Sequence, residues 1–135
     1  MYQQMIFVNL AVDDLEASKR FFTELGYSIN AQFSDETAAS VVISDTIVAM
    51  LLTRPKYAEF TKKELVDATR SSEVLLALSA ESREKVDELA DKALAAGGSV
   101  AGEPQDHGFM YGRSFDDLDG HTWEIVWMDP AVVEG

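Results

Sequence analysis

The chain has 135 residues, 47% of them hydrophobic and 26% charged, with a formal charge of -13. That length can bury a core without staples, the composition excludes disorder and fibrous classes, and the acidity argues against a nucleic acid partner, which requires a basic footprint. The absence of cysteine excludes disulfides, a thiol nucleophile and thiolate metal sites.

The opening MYQQMIFVNLAVDDLEASKR is apolar only briefly and turns acidic at Asp13, which fits neither a signal peptide nor a membrane span, so a cytoplasmic protein with no membrane partner is expected. Met5 to Val12 reads as a strand. Asp13 with Glu16 forms an Asp-headed capping box for a helix. Its inner face is Leu15, Ser18, Phe21, Phe22 and Leu25, and Gly26 ends it. Tyr27 to Phe33, Ala39 to Ile43 and Thr46 to Leu52 read as three further strands separated by Ser-Asp turns. Residues 54–71 form a locally basic connector with one or two short helices, one of them capped by Thr61 and Glu64. It is either solvated linker or an anion-binding lid.

The order then repeats. Glu73 to Ala80 is a strand, Ser82 caps a helix with Val86, Leu89, Ala90, Ala93 and Leu94 on one face, and Gly97-Gly98 stops it. Ser99 to Glu103 follows, then Phe109 to Phe115, an Asp-Gly turn and His121 to Met128. Strand alternation sets Trp123, Ile125 and Trp127 on a core face and Glu124 on the opposite one. Glu124 is therefore paired with Arg113 across the hairpin, or free to meet a ligand. Arg113 either neutralises it or clamps an anion, and Tyr111 shares the Arg113 face. Asn9 lies two residues from Phe7 on a strand expected to be buried, so its amide requires either backbone or ligand partners. The turn from Phe115 fails as an EF-hand loop, because Val126 stands where a bidentate Glu is needed.

The opening FVNLAVDDLEASKRFFTELGY resembles the signature of the vicinal oxygen chelate superfamily, which includes glyoxalases, bleomycin-resistance proteins and extradiol dioxygenases. The ending GRSFDDLDGHTWEIVW resembles its last hairpin. Within that superfamily the chain looks like bacterial proteins labelled predicted lactoylglutathione lyases. The resemblance implies an α+β fold of two tandem βαβββ modules forming a curved, cup-like mixed sheet with helices outside. It implies a single domain over residues 1–135, with modules at about 1–53 and 72–130, acting as a homodimer.

Metal-dependent members take ligands from the first and last strands of each module. The matching positions here are Phe7, Leu75, Ala49 or its neighbour Met50, and Glu124, of which only Glu124 can ligate. His107 and His121 are not expected to converge with it. The expectation is a pocket with no metal and no cofactor, in which Glu124 is the catalytic candidate and Phe7, Asn9, Leu75, His107, Tyr111 and Arg113 bind a small, partly aromatic ligand. Such a protein would bind or sequester a small molecule, or act as a metal-free isomerase or lyase. The alternatives are a lactoylglutathione lyase or extradiol dioxygenase with a divalent metal through Glu124, and a non-catalytic interaction module.

Overall fold

The computed structural model describes residues 1–134, except for the last two side chains of that range. The chain forms two compact units, Met1–Asp67 and Ala68–Gly135. The fold is α+β, with one mixed sheet in each unit.

The first unit contains β1 (Ile6–Val12), α1 (Leu15–Glu24), β2 (Ser28–Asn30), β3 (Ala38–Val42), β4 (Ile47–Thr53) and α2 (Arg54–Ala58). Its sheet runs β1-β4-β3-β2, with β1 parallel to β4 and the other pairs antiparallel. The β-α-β-β-β reading therefore holds. All five residues expected on the inner face of α1 are buried, and the rings of Phe21 and Phe22 meet edge to face at 5.0 Å. Burying each of those rings stabilises the unit by about 1.5–3 kcal/mol. On the sheet, Leu10, Val12, Val41, Ala49 and Leu51 complete this core.

Local chemistry shifts several boundaries. The helix cap is Asp14 rather than Asp13, because the Asp14 carboxylate accepts from the Ala17 N–H at 3.0 Å from an extended backbone. The strand expected from Tyr27 to Phe33 stops at Asn30. There the Asn30 side chain accepts from the Gln32 N–H and opens a short 3-10 turn over Ala31–Phe33. The connector holds one short helix, α2, capped by Thr53 and carrying a proline in its first turn. Thr61 caps no helix. Its hydroxyl accepts from the Lys63 N–H at 3.1 Å, closing a turn two residues long instead.

The second unit contains β5 (Leu76–Ser79), α3 (Arg83–Ala95), β6 (Ser99–Val100), β7 (Gln105–Asp106), β8 (Met110–Asp116), β9 (Thr122–Met128) and α4 (Pro130–Glu134). The order is β5-β9-β8-β6, with β7 added on β8 and β5 parallel to β9. Ser82 caps α3 as expected, accepting from the Lys85 N–H at 3.1 Å, and Val86, Ala90 and Ala93 are buried beneath the helix. Trp123, Ile125 and Phe115 are buried on the sheet, which α3 covers on one face. The strand expected over Glu73 to Ala80 is shorter, leaving Leu75 outside it and 60% exposed.

The turn between β8 and β9 is organised by a buried carboxylate. Asp117 accepts from the backbone N–H groups of Asp119 and His121, at 3.1 and 3.0 Å, and from the Trp123 indole N–H at 3.0 Å. Burial pushes its carboxyl above the ordinary range, opposed by the charge of His121 and these donors. These donors come from the turn and from the start of β9, so the Asp117 carboxylate holds the two together. Gly120 in the same turn has φ +91, and a Cβ there would lie 2.7 Å from the Thr69 backbone nitrogen. Only glycine meets both constraints.

Candidate functional site

Register fixes which side chains share a face. In β8 and β9, Ser114 is opposite Glu124, Arg113 opposite Ile125 and Tyr111 opposite Trp127. Directly opposed residues project to the same side of a sheet. Tyr111 and Arg113 therefore stand on the face that carries Trp123 and Ile125 and is covered by α3. Glu124 stands on the other face, with Ser114 and, across β5, Ala77.

On the helix-covered face the polar residues are already matched. The Tyr111 hydroxyl donates to Asp87 of α3 at 2.6 Å, and Arg113 donates to the same Oδ1 at 3.1 Å and pairs with Asp91 at 2.9 Å. The Tyr111 hydrogen bond, followed by Arg113, holds the Asp87 carboxyl below its usual range, and the Asp87 bond in turn raises the Tyr111 phenol. Arg83, one turn earlier on α3, makes a fork of two 2.9 Å bonds to Asp106 and a third to the Gly108 carbonyl. Its guanidinium stacks 5.1 Å from the Tyr111 ring and 5.2 Å from the Trp127 ring. This clamp fixes the segment that carries His107, whose side chain is exposed near Phe109.

Of the two alternatives for Glu124, the ion pair with Arg113 is thus absent: one residue of register puts them on opposite faces. Arg83, Asp87 and Asp91 were missed in the sequence, although they recur every four residues beside the apolar stripe of α3, the spacing of a single helical ridge.

Glu124 is half-buried, and its carboxylate has no hydrogen-bond or ion-pair partner among the described residues. The strand positions that share its face are Ala77, Ser79, Ser99, Gln105, Met110, Gly112, Ser114, Asp116, Thr122, Val126 and Met128, and none is basic. Asp116 accepts from the Thr122 hydroxyl. Next to Glu124, beginning at Ala77, lies a hollow of about 550 Å³ lined by Ala77, Leu78, Ser79, Ala80, Val126, Met128 and Pro130. Its walls are apolar apart from one hydroxyl and backbone groups; Glu124 does not line it but is in register with Ala77, which does, and shares a strand face with Val126 and Met128.

In the first unit, Phe7 and Asn9 share the face of β1 opposite to Leu10 and Val12. That face is exposed, against the expectation of a buried strand. Phe7 is 56% exposed, and the Asn9 amide donates to the Phe7 carbonyl at 3.4 Å. Met50 is opposite Asn9 and shares its face, whereas Ala49 is fully buried on the core side, so Met50 and not Ala49 is the neighbour of Asn9.

Catalytic metal sites take about three protein ligands, and among the described residues no three His, Asp or Glu side chains are grouped to hold an ion. The face of Glu124 offers one free carboxylate, one engaged by Thr122, and neutral hydroxyls. Among the described residues no helix is long and apolar enough to cross a membrane.

Comparison with known proteins agrees with this architecture. Residues 4–125 match the family model described as the Glyoxalase/Bleomycin resistance protein/Dioxygenase superfamily. The solved structure of the hypothetical protein SA1046 from S. aureus is 33% identical, with a TM-score of 0.78 over 94% of each chain. A glyoxalase-related enzyme from Fulvimarina pelagi is 24% identical, with a TM-score of 0.78 over 93% of this chain and 88% of that one. The fosfomycin resistance protein FosX from Mesorhizobium loti is 15% identical, with a TM-score of 0.70 over 100% of both chains. Among curated proteins, none matches this chain significantly.

Proposed function

The chain belongs to the glyoxalase/bleomycin resistance protein/dioxygenase superfamily, and from that premise we propose that it binds a small, largely apolar molecule on the open face of its second sheet, without a metal centre. The observation that carries this proposal is an apolar hollow of about 550 Å³ whose lining residue Ala77 is in register with the unpartnered, half-buried Glu124. Ligand pockets combine such apolar walls with a few placed polar groups, and this volume lies within their usual range of about 300–1,000 Å³. The fold also carries small-molecule functions elsewhere, as the name of the fosfomycin resistance relative indicates, although at 15% identity only the fold is shared.

Glu124 is the polar anchor in this account. Leu75, which stands just before β5 at a position where metal-dependent relatives place a ligand, adds apolar surface. Tyr111 and Arg113 act from behind the sheet by holding α3 in place, and His107 takes no direct part. Sequestration needs nothing further. Isomerisation or elimination would require Glu124 to exchange a proton with the ligand.

A thermal-shift screen of the full chain in the presence of a chelator tests the proposal. A ligand present at about a hundred times its Kd stabilises by roughly 2.7 kcal/mol, so binders are expected to raise the Tm measurably. The variant Ala77→Phe, which fills the hollow, should cancel those shifts while leaving the unliganded Tm nearly unchanged, because Ala77 is exposed. Shifts that depend on added metal, or that survive Ala77→Phe, would contradict it.

A further inference from the structure

We infer that the molecule taken by this hollow carries a protonated nitrogen, an amine, amidine or guanidine, on an apolar body, with Glu124 as its counter-ion. The inference rests on the proposal that the hollow is a small-molecule site, and it names the class of that molecule.

A half-buried carboxylate without a protein partner is free to make a charge-assisted hydrogen bond to a ligand donor. Among the described residues no cation or side-chain donor is bonded to Glu124. Ser114 and Ala77 flank Glu124 across the neighbouring strands, and no strand position on this face is Lys or Arg. The nearest cation in sequence, Arg113, is committed to Asp87 and Asp91 on the opposite face, and Arg83 is committed to Asp106 and Gly108.

An anionic ligand would meet Glu124, and Asp116 beyond it, with no cation to offset the repulsion. A neutral one would leave the carboxylate as it is. A protonated nitrogen alone gains a charge-assisted hydrogen bond while its apolar body fills the space between Ala77, Val126 and Met128. The net charge of -13 acts in the same direction over longer range, drawing cations toward the surface and repelling anions.

Three probes with one apolar body separate the possibilities: adamantylamine, adamantanol and adamantane carboxylate, titrated calorimetrically into the full chain at low salt near neutral pH. The amine is expected to bind about tenfold or more tighter than the alcohol, with the carboxylate weakest. Glu124→Gln should reduce amine affinity to that of the alcohol and leave the alcohol unchanged, whereas Ala77→Phe should remove both. Equal affinities, a preference for the carboxylate, or an amine affinity untouched by Glu124→Gln would overturn the inference. If the alcohol still binds in a manner sensitive to Ala77→Phe, the small-molecule proposal survives that failure. Binding of none of the three would overturn both.

Discussion

Arg113 and Glu124 lie on adjacent strands but on opposite faces of the same sheet, because Arg113 is in register with Ile125 and Ser114 with Glu124. The cation is held by Asp87 and Asp91 of α3, and the carboxylate is left to the open face. A β-hairpin thus separates a cation bound to α3 from an unpartnered carboxylate by the pleat alone.

The first prediction concerns their energetic independence. Glu124→Gln should change unfolding free energy by no more than about 0.5 kcal/mol, the usual range for a substitution that breaks no hydrogen bond, ion pair or core packing. Arg113→Met should lose about 0.5–1 kcal/mol, because the two carboxylates it leaves are well exposed and screened. In a double-mutant cycle the coupling of the two substitutions should be near zero, and a coupling of about 1 kcal/mol or more would show that they interact after all.

Acid sensitivity follows from the clamp on the helix-covered face. Hydrogen bonds from Arg83 hold the Asp106 carboxyl well below its ordinary value, and the bond from Tyr111 lowers Asp87. A carboxyl depressed in the folded state contributes stability above its unfolded pKa of about 3.9, and that contribution is lost as pH falls through the folded value. Asp117 works in the opposite sense. Its carboxyl is raised by burial, so its contribution is fullest below the unfolded pKa and declines as pH rises through the folded value. Urea unfolding of Arg83→Met should therefore show a smaller loss of stability than the wild-type chain between about pH 4 and pH 2. Parallel curves for the two proteins would remove Arg83 from the explanation.

The β8–β9 turn should be intolerant of change. Gly120→Ala meets both a positive φ and backbone atoms of Ala68 and Thr69 within 2.8 Å, so a loss of at least about 1–3 kcal/mol is expected. Asp117→Ala orphans the buried Trp123 indole N–H together with two backbone donors, at roughly 1–3 kcal/mol for each one that water cannot reach. Both losses can be read by urea unfolding monitored through tryptophan fluorescence. A urea midpoint close to that of the wild type for either variant would contradict this description of the turn.

Features of the fold that depend on local periodicity were legible in the sequence. The inner face of α1, the Ser82 cap of α3 and the alternation of Trp123, Ile125 and Trp127 against Glu124 all follow from spacings of a few residues. Strand ends were less legible, since Asn30 stops β2 with a side-chain hydrogen bond that competes with the ladder. The partners of Tyr111 and Arg113 were not legible from the hairpin at all. They lie on α3, with Asp87 24 residues from Tyr111 and 26 from Arg113, and meet the strand only after that helix packs on the sheet. Alternation alone placed Glu124 correctly, but Tyr111 and Arg113 were assigned to its pocket without the register that separates them. The hollow beside Glu124 depends on the parallel pairing of β5 with β9, a long-range contact that no motif announces.

The central claim is that Glu124 serves a small-molecule site without the metal centre found in metal-dependent relatives. Elemental analysis of protein purified without chelators, followed by thermal-shift titration with nickel, zinc, manganese and iron(II), tests it most directly. The account predicts substoichiometric metal and a Tm that none of the four ions raises, in the wild-type chain and in Glu124→Ala alike. One divalent ion per chain, raising the Tm in the wild type but not in Glu124→Ala, would contradict it and assign Glu124 to a metal centre.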